Sequence, residues 1–381
     1  MPDSTLPMPQ ASGPTPGEQT ANAIRWLQVN RLLNAAGLLA DRSLVSDQVA
    51  TLAGPLATKR ELVSEARLSE ENRVFAALAN SNVSALALKG CRLAHTIYPD
   101  PAQRLRADID ILVAPTDLDK ARDALRELGY RPEYDNPGGT PIPQEAWVRE
   151  TNGYRFMVDL HWKLRTHPCL RDRLDFDEQW QARVPLPALA EGAFGQSAPH
   201  ALLNASMHWF DNLYGHRYPL HWILDKDLLW RAMEPDEREE AVALACERGL
   251  GGLLAESLRL ARDHFLTPVD DDTIGTLDAA GKGRRPTRLI ALQHRRVRSW
   301  LFALRCEPGW RGKWHRLKES ILPPAAHMRE RYPAGSRWGL PGLYWRRIRS
   351  RLGTHPNNRT DAGADNDRPS NHATSQSTRG N

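Results

Sequence analysis

The stretch LRADIDILV, Leu105 to Val113, places two carboxylates, Asp108 and Asp110, at the mouth of an apolar run that reads as a buried strand. Aspartate is a poor strand former, and two like charges this close repel unless something positive lies between them. In a strand, residues i and i+2 point to the same side. Asp108 and Asp110 are therefore expected to project together, with Ile109 and Ile111 buried on the opposite side. The pair is either an ordinary strand end with a solvated face or the oxygen half of a metal site. Oxygen ligands paired on a rigid element suit Mg²⁺, which takes one or two carboxylates together with substrate phosphates.

Two neighbouring stretches weigh the choice toward a metal. Ala146–Glu150 and Tyr154–Leu164 flank Thr-Asn-Gly, which predicts a hairpin. Along YRFMVDLHW, alternation sets Phe156, Val158, Leu160 and Trp162 on one face and Met157, Asp159 and His161 on the other. Asp159 is a lone acid among apolar and aromatic residues, a placement that usually needs a partner. Upstream, the short strand-like run Ser84–Leu88 ends at Lys89-Gly90 and leads into a helical turn, Cys91–Tyr98, broken by Pro99 and Pro101. Glycine between strand and helix lets backbone N–H groups approach an anion, and Lys89 adds a point charge for a phosphate. Each signal is common by itself. Their combination carries the reading.

Outward from this core the chain becomes helical. Ile24–Ala40 and Lys59–Ala79 are predicted helices, as is Asp117–Leu128, stopped by Gly129. Strand signals fade near Pro199, and His200–Tyr214, Trp222–Met233, Asp236–Gly249 and Leu253–Phe265 read as helices. The expected organisation is a disordered N-terminus (1–22), a helical lead-in (23–80), an α/β core (81–198), a helical, basic C-terminal domain (199–352) and a disordered tail (353–381). Both ends are expected to be disordered because they hold too little apolar surface to offset their ordering entropy. The fold class is α+β: a small mixed sheet whose burial flanking helices must complete.

Composition narrows the function classes. Cys91, Cys169, Cys246 and Cys306 show no short spacing, which argues against a zinc knuckle or a disulfide framework and fits a reducing compartment. The first residues lack the basic start and apolar stretch of a signal peptide, and no run approaches the ~20 apolar residues that span a bilayer. A soluble, cytoplasmic protein is expected. Gly281–Ser350 holds 18 Lys and Arg against 3 Glu, a local balance of +15, so the remainder of a chain whose net charge is +5 carries −10. Trp300, Trp310, Trp314, Trp338 and Trp345 share that region. It suits nucleic acid, an anionic membrane surface or polyphosphate, or else a packed helical region with solvated arginines.

ALKGCRLAHTIYPDPAQRLRADIDILV, followed by VDLHW, resembles the uncharacterised branch of the nucleotidyltransferase superfamily. The matching elements are Leu88-Lys89-Gly90, Tyr98-Pro99-Asp100-Pro101, Arg104, Asp108-Ile109-Asp110-Ile111-Leu112-Val113 and Asp159-Leu160-His161-Trp162. The helical segment His200–Trp230, with its W-x-x-D, is similar to a later part of the same family. The resemblance implies a DNA-polymerase-β-like fold carrying three carboxylates, Asp108, Asp110 and Asp159. It also implies transfer of an NMP from an NTP with Mg²⁺, Mn²⁺ being the alternative ion. The superfamily's usual glycine-serine turn is replaced here by Lys89-Gly90, and the acceptor does not carry over from the family.

On this reading Asp108, Asp110 and Asp159 are the catalytic metal ligands, and Lys89, Gly90 and Arg104 bind nucleotide phosphate. His161 lies on the acceptor side, or else is a packed, hydrogen-bonded histidine. Arg104 and Arg106 have a plainer role open to them, neutralising the acids. His208, His216 and His221, near Asp225 and Asp227, lack tight ligand spacing, which argues against a zinc site; His208 and Asp225 are read as ties between helices, a substrate role being the alternative. Two other functions compete: a catalytically inactive nucleotide- or RNA-binding module using the basic C-terminal region, and a scaffold acting through the helical half.

Overall fold

In a computed structural model the described residues are 16–29, 31–133, 143–211, 220–292, 296–321, 328 and 339–352. The expected disordered tail, residues 1–15 of the expected disordered N-terminus, and His216 lie outside them. The strands are β1 (Ala85–Ala87), β2 (Ile109–Val113), β3 (Arg131–Pro132), β4 (Gln144–Thr151), β5 (Tyr154–His161), β6 (Val184–Pro185) and β7 (Phe194–Gly195). They form one seven-stranded mixed sheet in the order β3-β4-β5-β2-β1-β7-β6. The fold is α+β, with helices before, between and after the strands among the described residues.

The helices before and within the sheet are α1 (Pro16–Val29), α2 (Ala36–Asp41), α3 (Asp47–Asn80), α4 (Lys89–Ala94), α5 (Leu118–Glu127) and α6 (Phe176–Gln181). Those after it are α7 (Ala198–Asp211), α8 (His221–Ala232), α9 (Pro235–Glu247), α10 (Gly251–Phe265), α11 (Asp271–Gly281), α12 (Arg288–Leu292), α13 (Arg296–Cys306) and α14 (Gly309–Ile321). A further helix covers Gly339–Leu352. Chain contacts divide the protein into one compact unit reaching Lys313 and a second beginning at Trp314. The sheet and α7–α10 thus belong to one unit. No helix among the described residues is long and apolar enough to cross a membrane.

Alternation along β2 explains how the sheet is covered. Ile109, Ile111 and Val113 join a core cluster with Val74, Phe75 and Leu78 of α3 and Ala121 and Leu125 of α5. Leu112, with Leu86 and Leu88, joins a second cluster that includes Leu202 of α7, Leu224 of α8 and Leu254 of α10. Asp110 shares the parity of Leu112. The acid face of the sheet therefore lies beneath the helical half.

The hairpin forms as its turn chemistry dictates. Thr151 pairs with Tyr154, leaving Asn152 (φ 49°) and Gly153 (φ 77°) as a two-residue loop with both residues left-handed. That is the backbone Asn-Gly favours, since its twist matches that of the flanking strands.

Several elements depart from the sequence expectations. The first helix is broken, because α1 ends at Val29 and Arg31 turns left-handed (φ 57°) before α2. Helix α3 starts at Asp47, well before Lys59, and carries Pro55 inside it. The Ser46 hydroxyl caps it by accepting from the Val49 N–H at 3.3 Å, while Val49 and Ala53 anchor its first turns in the core. Strands β6 and β7, two residues each, are too short to leave a periodic signal.

Candidate active site

The parallel register of β2 and β5 sets Asp110 beside Asp159 and Leu112 beside His161. Registered residues on neighbouring strands face the same side about 4.8 Å apart, so the two carboxylates meet across the ladder. Donor atoms of Asp110, Asp159 and His161 all lie within 4.8 Å of one another. Among the described residues this is the one group of three with metal-ligand proximity. Asp108 stands just before β2, half-buried and outside that trio.

Two cationic or polar partners converge on one oxygen. The Lys89 ammonium donates to Asp110 Oδ1 at 2.5 Å, and His161 Nε2 lies 3.0 Å from the same atom. The Leu88 N–H donates to the Asp110 carbonyl at 3.0 Å, tying the end of β1 to β2. Lys89 follows at once with a left-handed backbone (φ 45°). That conformation costs a non-glycine residue roughly 1–2 kcal/mol. The turn swings the Lys89 side chain onto the carboxylate.

Burial alone would hinder ionisation of Asp110, but the Lys89 charge and the His161 hydrogen bond outweigh it and hold the carboxyl well below its ordinary range. Asp159 has neither partner. Burial, then the charges of Asp110 and Asp108, push its carboxyl up to about 7. Asp108 is raised chiefly by the Asp110 charge and then by burial. Burial and the nearby Lys89 ammonium lower the His161 imidazole to about 4. The ring is therefore neutral at physiological pH, and its bond to ionised Asp110 makes Nε2 the protonated nitrogen.

The segment entering β2 is fastened from two sides. Arg104 forks onto Asp225 of α8, Nε to Oδ1 at 2.7 Å and Nη2 to Oδ2 at 2.8 Å. The Tyr98 hydroxyl donates to the same Oδ1 at 2.8 Å. Arg106 forks onto Glu71 of α3 at 2.5 and 2.7 Å, and His95 Nε2 lies 3.1 Å from Glu71 Oε2. Arg67 adds a bond to the Ala107 carbonyl at 2.7 Å. Arg104, expected at phosphate, has Nε and Nη2 on Asp225 of the helical half and Nη1 on the Leu105 carbonyl.

Gly90, also expected at phosphate, faces this same segment. A Cβ on Gly90 would stand 3.2 Å from Arg106 Cβ and 3.6 Å from Arg104 Cζ. The glycine admits the arginine-bearing segment against α4, a helix of only 6 residues.

The helical half presents its own polar wall. Arg165 Nη1 lies 2.9 Å from His208 Nδ1, and Arg165 Nη2 donates to Asn204 Oδ1. Burial, then the charges of Lys89 and Arg165, lower the His208 imidazole well below its ordinary value. Lys226 of α8 is fully buried, its ammonium 4.2 Å from the Trp209 ring centre. Asp225 ties α8 to the segment that enters β2, whereas Asp227 accepts from Arg42, next after α2, at 2.6 Å and from Thr267, beyond α10, at 2.7 Å. Sequence reasoning missed Glu71 and Arg165. Glu71 sits among other charges on α3, and only the alternation that pairs Asp159 with His161, continued past the strand, hints at Arg165.

An α+β core whose sheet brings carboxylates together on adjacent strands, beneath a helical half, is the arrangement of the nucleotidyltransferase class. Residues 16–266 match the family described as uncharacterised nucleotidyltransferase, and the chain belongs to that family. It is accordingly an enzyme of nucleotidyl transfer. The match runs from the start of α1 to the residue after α10, so α11 to α14 lie beyond it. No curated protein matches the chain.

Proposed function

We propose that the enzyme moves an NMP from an NTP to an acceptor hydroxyl, on a small molecule or a protein side chain, and releases pyrophosphate. The observation that carries this reading is the side-by-side placement of Asp110 and Asp159, with the Lys89 ammonium on Asp110. Asp108, Asp110 and Asp159 are the residues that would hold Mg²⁺. The donor set fits such an ion: oxygens of Asp110 and Asp159 lie within 4.8 Å of each other, Asp108 is close enough for its charge to act on Asp159, and Lys89 is the one cationic side chain among the described residues hydrogen-bonded to these acids. The nearby imidazole of His161 suits Mn²⁺ as a substitute, since imidazole is a better ligand for it than for Mg²⁺. A divalent cation bound there offsets triphosphate charge and acidifies the acceptor hydroxyl.

The chain's own residues supply the rest. The acceptor oxygen forms a bond to the α-phosphorus, the bond from that phosphorus to the β-phosphate oxygen breaks, and pyrophosphate leaves with the electron pair. The hydroxyl proton passes to Asp159, whose carboxylate has no hydrogen bond to a described residue, whereas Asp110 is engaged twice. Lys89 turns from Asp110 to the phosphoryl oxygens, where its charge stabilises the negative charge that develops. His161, neutral and held by Asp110, lines the acceptor side. Arg104 acts as a positioning residue by holding the segment that leads to Asp108.

The test is incubation with each labelled NTP and Mg²⁺ or Mn²⁺, with and without cell extract as a source of acceptors, following pyrophosphate and transferred label. Metal-dependent pyrophosphate release with one NTP is the expected result. Nucleotide binding without release under every condition would overturn the reading.

A further inference from the structure

Beyond the family match, the chain builds a surface that the transfer site does not use. Helices α12 and α13 flank a shallow groove of about 460 Å³, lined by Arg288, Ala291, Leu292, Leu301, Phe302 and Arg305, with Arg298 beside them. At 100° per residue, Val297, Leu301, Arg305, Arg298 and Phe302 fall in sequence across an arc of about 140° on α13. Val297 is 72% exposed and Leu301 48% exposed, one helical turn apart. Just after α13 comes Trp310, 73% exposed, with the Arg311 guanidinium over its ring at 5.7 Å. An aliphatic stripe and arginines therefore share one side of α13, and an open tryptophan follows at the start of α14.

Among the described residues the arginines of this face have no ion-pair partner. Between Gly281 and Lys318 the sequence holds one acid, Glu307, and it is engaged by Arg171 at 3.1 Å. Arg288, Arg298 and Arg305 form no ion pair with a described residue. A face that exposes aliphatic side chains beside arginines with no ion pair to a described residue is complementary to a surface offering apolar depth under negative charge. Nucleic acid supplies the charge but gives Val297 and Leu301 nothing to enter.

We infer that the α12–α13 face, with Trp310, seats this enzyme on an anionic phospholipid surface. The arginines engage lipid phosphates, Trp310 lies at headgroup level, and Val297 and Leu301 enter the acyl boundary. The docking is peripheral and reversible, and it does not depend on the transfer reaction proposed above.

The test is flotation of the full chain with vesicles of phosphatidylcholine alone and of phosphatidylcholine mixed with phosphatidylglycerol. Binding is expected only to the mixed vesicles, weakening as salt rises. Each arginine near such a surface strengthens binding by about fivefold, so Arg288→Ala/Arg298→Ala/Arg305→Ala is expected to bind on the order of 100-fold more weakly. Val297→Ser/Leu301→Ser, which keeps every charge, is also expected to lose most binding, and both variants should retain the wild-type far-UV circular dichroism. Failure to bind the mixed vesicles, equal binding to both kinds, or undiminished binding by Val297→Ser/Leu301→Ser would overturn the inference. So would variants that lose affinity for single-stranded RNA while keeping that for the mixed vesicles.

Discussion

Arg104 and Asp225, 121 residues apart in sequence, meet in a buried two-pronged ion pair at 2.7 and 2.8 Å. The pair joins the segment that enters the carboxylate strand to α8, and so couples the helical half to the placement of Asp108 and Asp110. Removing one partner of such a pair leaves an uncompensated buried charge, at a cost of about 3–5 kcal/mol. Arg104→Ala and Asp225→Asn are each expected to lose stability of that order in urea unfolding. Arg104→Met/Asp225→Leu is expected to lose less than the sum of the two. Additive losses would show that the pair does not act as a unit.

Glu71 plays the matching part on the lead-in side, taking Arg106 at 2.5 Å and His95 at 3.1 Å. Burial opposes its ionisation, but the Arg106 and His95 bonds prevail and keep its carboxyl below the ordinary value. A depressed carboxyl stabilises the fold above its unfolded pKa, and that stability is lost as pH falls through the folded value. Glu71→Gln is therefore expected to lower the thermal midpoint at pH 7 and to lose less than wild type on acidification. Parallel pH profiles of the two proteins would refute this.

Lys226 is buried with its ammonium over Trp209 and has no hydrogen-bond acceptor among the described residues. Burial lowers its pKa to about 7. Between that value and the ordinary lysine range the unfolded chain holds a proton that the folded one does not, so stability from this group rises with pH. Lys226→Met is expected to stabilise the protein at pH 6 by on the order of 1–3 kcal/mol, with the gain shrinking toward pH 9. A loss of stability at both pH values would mean that the cation–π contact outweighs the burial penalty.

How much of this was legible beforehand depends on range. Alternation along LRADIDILV and YRFMVDLHW, with the Asn152-Gly153 turn, sufficed to put Asp110 and Asp159 on one face and Ile109 and Ile111 on the other. Those are period-two facts within one strand or hairpin. Gly90 and Arg104 show where local reading stops. Sequence places them next to the acids, but the segment that Gly90 admits, and the Asp225 that Arg104 grips, are set by packing across the chain. The sequence left His161 open as a packed or an acceptor-side residue; the structure bonds it to Asp110.

Lys89 stands where it opposes an incoming cation, 2.5 Å from Asp110 Oδ1. Lys89→Met is expected to tighten Mn²⁺ binding, read by electron paramagnetic resonance without nucleotide, by about tenfold, one 1.4 kcal/mol step of removed charge repulsion. Pyrophosphate release by the same variant is expected to fall. Weaker Mn²⁺ binding would place the ion away from Asp110.

The most direct test of the account compares pyrophosphate release by wild type and Asp159→Asn, with the reactive NTP and Mg²⁺. Asp159 has no hydrogen bond to a described residue and is repelled by Asp110 and Asp108, so the substitution relieves charge and leaves the thermal midpoint at or above that of wild type. Release is predicted to fall by about 100- to 10,000-fold, the range for losing a positioned proton acceptor. Undiminished release by a folded Asp159→Asn protein would contradict the account.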